Sequence, residues 1–71
     1  MSTETITVTI NGAERSVAPG LRVAALLESL GLRPQLVVVE HNREILARTA
    51  LADVEVRAGD TLEIVHFVGG G

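Results

Sequence analysis

An α+β domain, with one mixed sheet of four to five strands packed on a single helix, is predicted by three features of this 71-residue sequence. Residues 5–10 alternate apolar and polar side chains and are followed by Asn11-Gly12. Val23, Leu26, Leu27 and Leu30 recur at helical spacing. Two further apolar runs of strand length, 36–39 and 61–68, follow the helix. One amphipathic helix among alternating strands gives a two-layer domain.

Each element has its own signal. Ile6, Val8 and Ile10 share one face of the first strand, with threonines on the other. Asn11 and Gly12 both tolerate positive φ and so predict a tight hairpin. The return strand runs from Arg15 to Ala18 with Val17 inward, and Pro19-Gly20 ends it. Gly31 stands where a helix closes in a left-handed residue, and Pro34 bars continuation. No Ser, Thr, Asp or Asn caps the start of the helix, so its stability must come from packing. Leu36-Val37-Val38-Val39 is too short for a helix and reads as a central strand buried on both faces. The crossover rule places it beside and parallel to a hairpin strand. His41-Asn42-Arg43 reads as a turn leading into Glu44-Ile45-Leu46, and Ala58-Gly59-Asp60 as another. Leu51, Val54 and Val56 are expected to plug the bottom of the core. In the last strand Leu62 and Ile64 share one face, Val65 and Phe67 the other, with Val37 and Val39 as their candidate neighbours. The expected core is Ile6, Val8, Ile10, Val23, Leu26, Leu27, Leu30, Val38, Leu62 and Ile64. One sheet wrapped on one helix is the β-grasp, or ubiquitin-like, arrangement. Residues 1–68 make up this domain and 69–71 a flexible glycine tail.

Composition removes several function classes. Without cysteine there are no disulfides, thiolate ligands or cysteine nucleophiles. All six basic residues are arginine, which excludes Schiff-base and general-base lysines. A net charge of −3 and a single aromatic residue, Phe67, argue against nucleic acid as a partner. No apolar run approaches the roughly 20 residues of a membrane span, and Met1-Ser2-Thr3-Glu4 lacks the basic region of a signal peptide. A cytoplasmic protein with no membrane partner, monomeric when free, is expected.

Enzyme chemistry finds little support. His41 and His66 are the only imidazoles, and no third soft ligand accompanies them, so neither is read as a metal ligand. Ser2, Ser16 and Ser29 lack a nucleophile-elbow context. Glu40 with Glu44, and Glu28, read as solvated faces. A core this small leaves no room for a substrate cavity, since a chain of this length buries only about 60% of its unfolded surface. The chain is read as a non-enzyme.

The tail is the exception. Three consecutive glycines destabilise a strand end, because each loses more entropy on ordering than alanine does. A frayed end is the plain reading. As a continuation of the last strand, residues 68–71 extend at most about 14 Å. With no Cβ atoms on Gly69, Gly70 and Gly71, such a thread passes through a narrow channel in a partner and presents one carboxylate. That carboxylate is ionised at neutral pH and is able to attack the α-phosphorus of ATP there, giving an acyl-adenylate.

The ending Asp60-Thr61-Leu62-Glu63-Ile64-Val65-His66-Phe67-Val68-Gly69-Gly70-Gly71 resembles that of the sulfur carriers of thiamine biosynthesis, the ThiS family. Val38-Val39-Glu40-His41-Asn42-Arg43-Glu44-Ile45 resembles that family's strand and turn before its second half. The chain departs from the family pattern in its uncapped helix and in Leu46-Ala47-Arg48, where a Pro-Arg pair is common. The resemblance implies a protein co-substrate with no bound cofactor. An E1-like adenylyltransferase would activate Gly71 with ATP and magnesium, and a persulfide donor would convert it to a thiocarboxylate. Thiazole synthase would receive the sulfur. Gly69 and Gly70 would thread into the partner site, while Val65, Phe67 and Val68 would dock. Two other carboxyl-terminal diglycine groups share these features: the small subunit of molybdopterin synthase, and ubiquitin-like modifiers. An interaction module with an inert tail is the remaining alternative.

Overall fold

The Asn11-Gly12 pair closes the first hairpin, with φ of 51° and 82° at the two residues. It joins β1 (Ile6–Ile10) to β2 (Ala13–Val17) in the register Ile6 opposite Val17 and Ile10 opposite Ala13. The computed structural model describes residues 4–67. Helix α1 (Val23–Ser29) follows, then β3 (Val37–His41), β4 (Glu44–Ile45) and β5 (Thr61–His66). Short 3-10 turns at Pro34–Leu36 and Arg48–Ala50 lie between them. The sheet order is β2-β1-β5-β3-β4. This is the β-grasp arrangement. Val68 and the glycines 69–71 lie outside the described residues.

The strand order corrects one expectation. The neighbour parallel to β1 is β5, with Thr9 opposite Thr61 and Ile10 opposite Leu62. β3 is not beside the hairpin; it lies beyond β5 and antiparallel to it, with Val37 opposite His66 and His41 opposite Leu62. The crossover rule fixes the hand of a connection, not how many strands it passes. Here the connection through α1 passes two.

Register also corrects the phase of β3. Val37 and Val39 are buried, whereas Val38 is only half-buried, on the opposite face. In a strand, a shift of one residue exchanges the faces of every side chain. A run of four apolar residues carries no polar marker of phase, and pairing with β5 decides it: Val39 lies opposite the buried Ile64. The core is therefore Val8, Ile10, Val23, Leu26, Leu27, Val37, Val39, Leu51, Val56, Leu62 and Ile64. Ile6 and Leu30 pack only partly against it, as do Val17 and Val54.

The missing polar cap of α1 has a structural answer. Arg22 occupies the cap position with no side-chain hydrogen bond. The first helical N–H groups instead donate to backbone carbonyls of the 51–54 segment, Val23 to Val54 at 2.9 Å and Ala24 to Leu51 at 2.8 Å. These satisfy donors that every helix start leaves open. The same segment inserts Leu51 and Val56 into the core, so one stretch both caps the helix and seals its base. At the other end Gly31 takes φ 78°, the left-handed closure its position calls for.

Leu27 is completely buried against this core. Leu27→Ala is expected to lower the free energy of unfolding by about 2–5 kcal/mol, and Val38→Ala by clearly less, in equilibrium urea unfolding. Equal losses would contradict the register of β3.

Candidate functional site

β5 is the strand that leads to the glycine tail, and three groups of hydrogen bonds hold it in place. At its start, Asp60 collects donors: His41 Nε2–H and Arg57 N–H bond its Oδ2 at 2.7 and 2.9 Å, and Asn42 Nδ2–H bonds its Oδ1 at 3.2 Å. Asn42 Oδ1 accepts from Thr61 N–H, and Asn42 N–H donates to the Thr61 carbonyl. Asn42 and Arg43 make a two-residue turn with φ of 49° and 72°, a geometry asparagine tolerates better than most residues. That turn places the Asn42 amide beside β5.

Along the strand the decisive residue is Asn11. Its backbone N–H donates to the Leu62 carbonyl at 2.9 Å. Its side chain then reaches further: Oδ1 accepts from Ile64 N–H at 2.7 Å, and Nδ2–H donates to the Ile64 carbonyl at 3.2 Å. The side-chain amide thus imitates one more residue of β1. On the other edge, Phe67 N–H donates to the Leu36 carbonyl at 2.9 Å. The chain is held as far as Phe67, one residue before the tail.

This anchoring fixes which side chains face outward. Leu62 and Ile64 are buried, so Val65 and Phe67 point away from the helix, 58% and 51% exposed. Val38 lies directly opposite Val65 and belongs to the same face. Leu36, 39% exposed, adds apolar surface where Phe67 is tied down. Ile45 on edge strand β4 is 72% exposed and lies opposite Glu40, which puts it on this face too. Val37 and Val39, the neighbours expected from the sequence, lie in the core instead. Val68, Gly69, Gly70 and Gly71 fall outside the described residues.

The remaining candidates have local roles. His41 serves Asp60. His66 faces the helix side, in a groove it shares with Ile64, Leu32 and Asn11. Ser29 Oγ–H donates to the Leu26 carbonyl at 2.6 Å. Glu40 and Glu44 lie on opposite faces of the sheet, since Glu44 is opposite His41; the residue facing Glu40 is Glu63. Sequence reading misses Asn11 as a clamp, because the Asn-Gly signal is fully accounted for by the turn. It misses Ile45 and Val38 as outward residues because short apolar runs do not show their phase.

Comparison with known proteins decides the family. A profile of the ThiS family matches residues 8–71. The chain belongs to the ThiS family. The crystal structure of the thiamine biosynthesis protein (ThiS) from Geobacter metallireducens superposes with a TM-score of 0.80 and 38% identity, covering 93% of this chain and all of that one (100%). The sulfur carrier protein ThiS of Bacillus subtilis is 48% identical over 46 residues, 65% of this chain and 70% of that protein. A thiazole synthase from Paramagnetospirillum magneticum is 48% identical over 62 residues, 87% of this chain. The chain spans only 19% of the length of that synthase. The ThiS match reaches through the diglycine end, so it includes the tail as well as the folded part.

Two predictions follow from the anchoring of β5. Asn11→Gly keeps the positive φ of the turn but removes the clamp. It is expected to destabilise the protein by about 1–3 kcal/mol and to speed hydrogen exchange at the Ile64 amide. An unchanged Ile64 protection would contradict the clamp.

The second concerns pH. Burial pushes the Asp60 carboxyl up, but hydrogen bonds from Arg57 N–H, His41 and Asn42, with the charge of His41, outweigh it and hold it below the ordinary value of 3.8. A depressed folded pKa stabilises the fold above the unfolded pKa, and this contribution is lost as pH falls through the folded value. Asp60→Asn is expected to be less stable than the parent at neutral pH, with the difference shrinking below pH 3.8. Parallel stability curves down to strong acid would contradict this.

Proposed function

We propose that this chain carries sulfur to thiazole formation as a thiocarboxylate on Gly71, and that it acts as co-substrate of other enzymes. The observation that carries the reading is the family match through residue 71, together with a strand held to Phe67, which only Val68 separates from Gly69-Gly70-Gly71. An E1-like adenylyltransferase, using ATP and magnesium, accepts the tail. The Gly71 carboxylate oxygen attacks the α-phosphorus of ATP and pyrophosphate leaves. The terminal sulfur of a persulfide donor then attacks the acyl carbon and AMP leaves. Cleavage of the remaining S–S bond by a thiol gives the thiocarboxylate. Adenylation supplies the leaving group that a carboxylate lacks, and the resulting sulfur anion is a strong nucleophile.

The folded domain contributes presentation. Gly69 and Gly70 thread the partner's channel, and residues 68–71 give up to about 14 Å of reach beyond the last anchored residue. Val65, Phe67 and Val68 dock beside the channel mouth, where an exposed apolar patch at the base of the tail suits a protein interface. Thiazole synthase receives the sulfur. A thiazole synthase polypeptide that contains a segment 48% identical to this chain supports that pairing.

The test is ATP–pyrophosphate exchange with the adenylyltransferase. One residue added after Gly71 moves the reacting carboxylate from its position, and a displacement of about 1 Å costs on the order of a hundredfold. Gly70→Val places branched bulk in the thread. Both variants are expected to fold as the parent does and to lose exchange. An extended protein that is adenylated without being trimmed would overturn the proposal.

A further inference from the structure

The outward face of the sheet holds an arrangement that works against stability. Glu40 on β3 and Glu63 on β5 lie directly opposite each other in the antiparallel register. Like charges in that position destabilise a strand pair. Neither carboxylate makes an ion pair with another described residue. The next pair along the same two strands is Val38 opposite Val65, and Ile45 lies opposite Glu40 on its other side. Two adjacent carboxylates are therefore framed by the half-buried Val38 and the exposed Val65 and Ile45, on the face that also carries Phe67.

We infer that this face docks a basic surface of the adenylylating partner, with an arginine placed between Glu40 and Glu63; the inference rests on the carrier reading above. A guanidinium presents several donors in a planar fork and answers two carboxylates at once. The flanking Val38, Val65 and Ile45 supply apolar contact around the charged centre. The footprint thus crosses three strands rather than the end of β5 alone. A second copy of this chain is a poor occupant, since an isologous contact brings its own Glu40 and Glu63 to the same patch. Charges so placed govern association rate and its salt dependence.

The experiment measures KM for the carrier in ATP–pyrophosphate exchange at low and high salt. It compares the parent, Glu40→Gln/Glu63→Gln and Glu40→Lys/Glu63→Lys. The lysine pair is expected to raise KM at low salt on the order of tenfold, with little change in kcat. The glutamine pair is expected to fall between the two and to lose the salt dependence of the parent. Its melting temperature is expected to equal or exceed the parent's, because the like-charge opposition is gone. Equal KM and equal salt dependence in all three proteins would overturn the inference. So would unchanged exchange with a loss only in sulfur delivery to thiazole synthase. A parent chain that supports no exchange at all would instead overturn the carrier reading.

Discussion

The central strand of this sheet runs past the end of its parallel neighbour, and the Asn11 side chain makes that possible. β1 ends at Ile10, opposite Leu62, whereas β5 continues to His66. Beyond that point the backbone of Ile64, a core residue, faces the turn instead of a strand. An unsatisfied buried amide costs about 1–3 kcal/mol. The Asn11 amide supplies both an acceptor and a donor to Ile64. With β3 paired along the other edge, Leu62 and Ile64 are locked inward. The alternation of the strand then sends Val65 and Phe67 outward. The orientation of the strand end as far as Phe67 follows from that one residue and the Phe67–Leu36 bond.

The segment between β4 and β5 matters for a related reason. It looks like a long irregular connection, yet it donates the carbonyls that cap α1 and the side chains of Leu51 and Val56 that close the core. A helix of seven residues with no polar cap is weak alone. Here it is held between the sheet and this segment. The Asp60 network at the end of the segment then fixes the start of β5, so helix capping and strand placement are two ends of the same structural unit.

Much of this was legible in the residues, for identifiable reasons. The threonine–aliphatic alternation before Asn11-Gly12, the i, i+3, i+4, i+7 spacing from Val23 and the split between Leu62/Ile64 and Val65/Phe67 each carry a polar marker that reports phase. Leu36-Val37-Val38-Val39 carries none, and its phase, with Val37 and Val39 inward rather than Val38, is set by pairing with β5. Strand adjacency is not legible in the same way, because handedness does not count the strands passed over. Of the candidate site, the outward Val65 and Phe67 are legible as local features. The Asn11 clamp and the Glu40–Glu63 opposition depend on pairing between residues far apart in sequence, which no local pattern reports.

In the proposed function presentation and chemistry are separate: the fold holds the strand up to Phe67, and the reacting atom is assigned to Gly71. The most direct test is intact-mass and terminal-peptide mass spectrometry after incubation with the adenylyltransferase, ATP, magnesium and a persulfide donor. A single exchange of oxygen for sulfur, located on Gly71 and dependent on ATP, is the predicted result. An unmodified terminus under conditions where the partner is active, or attachment of Gly71 to lysines of other proteins in place of sulfur, would contradict the account.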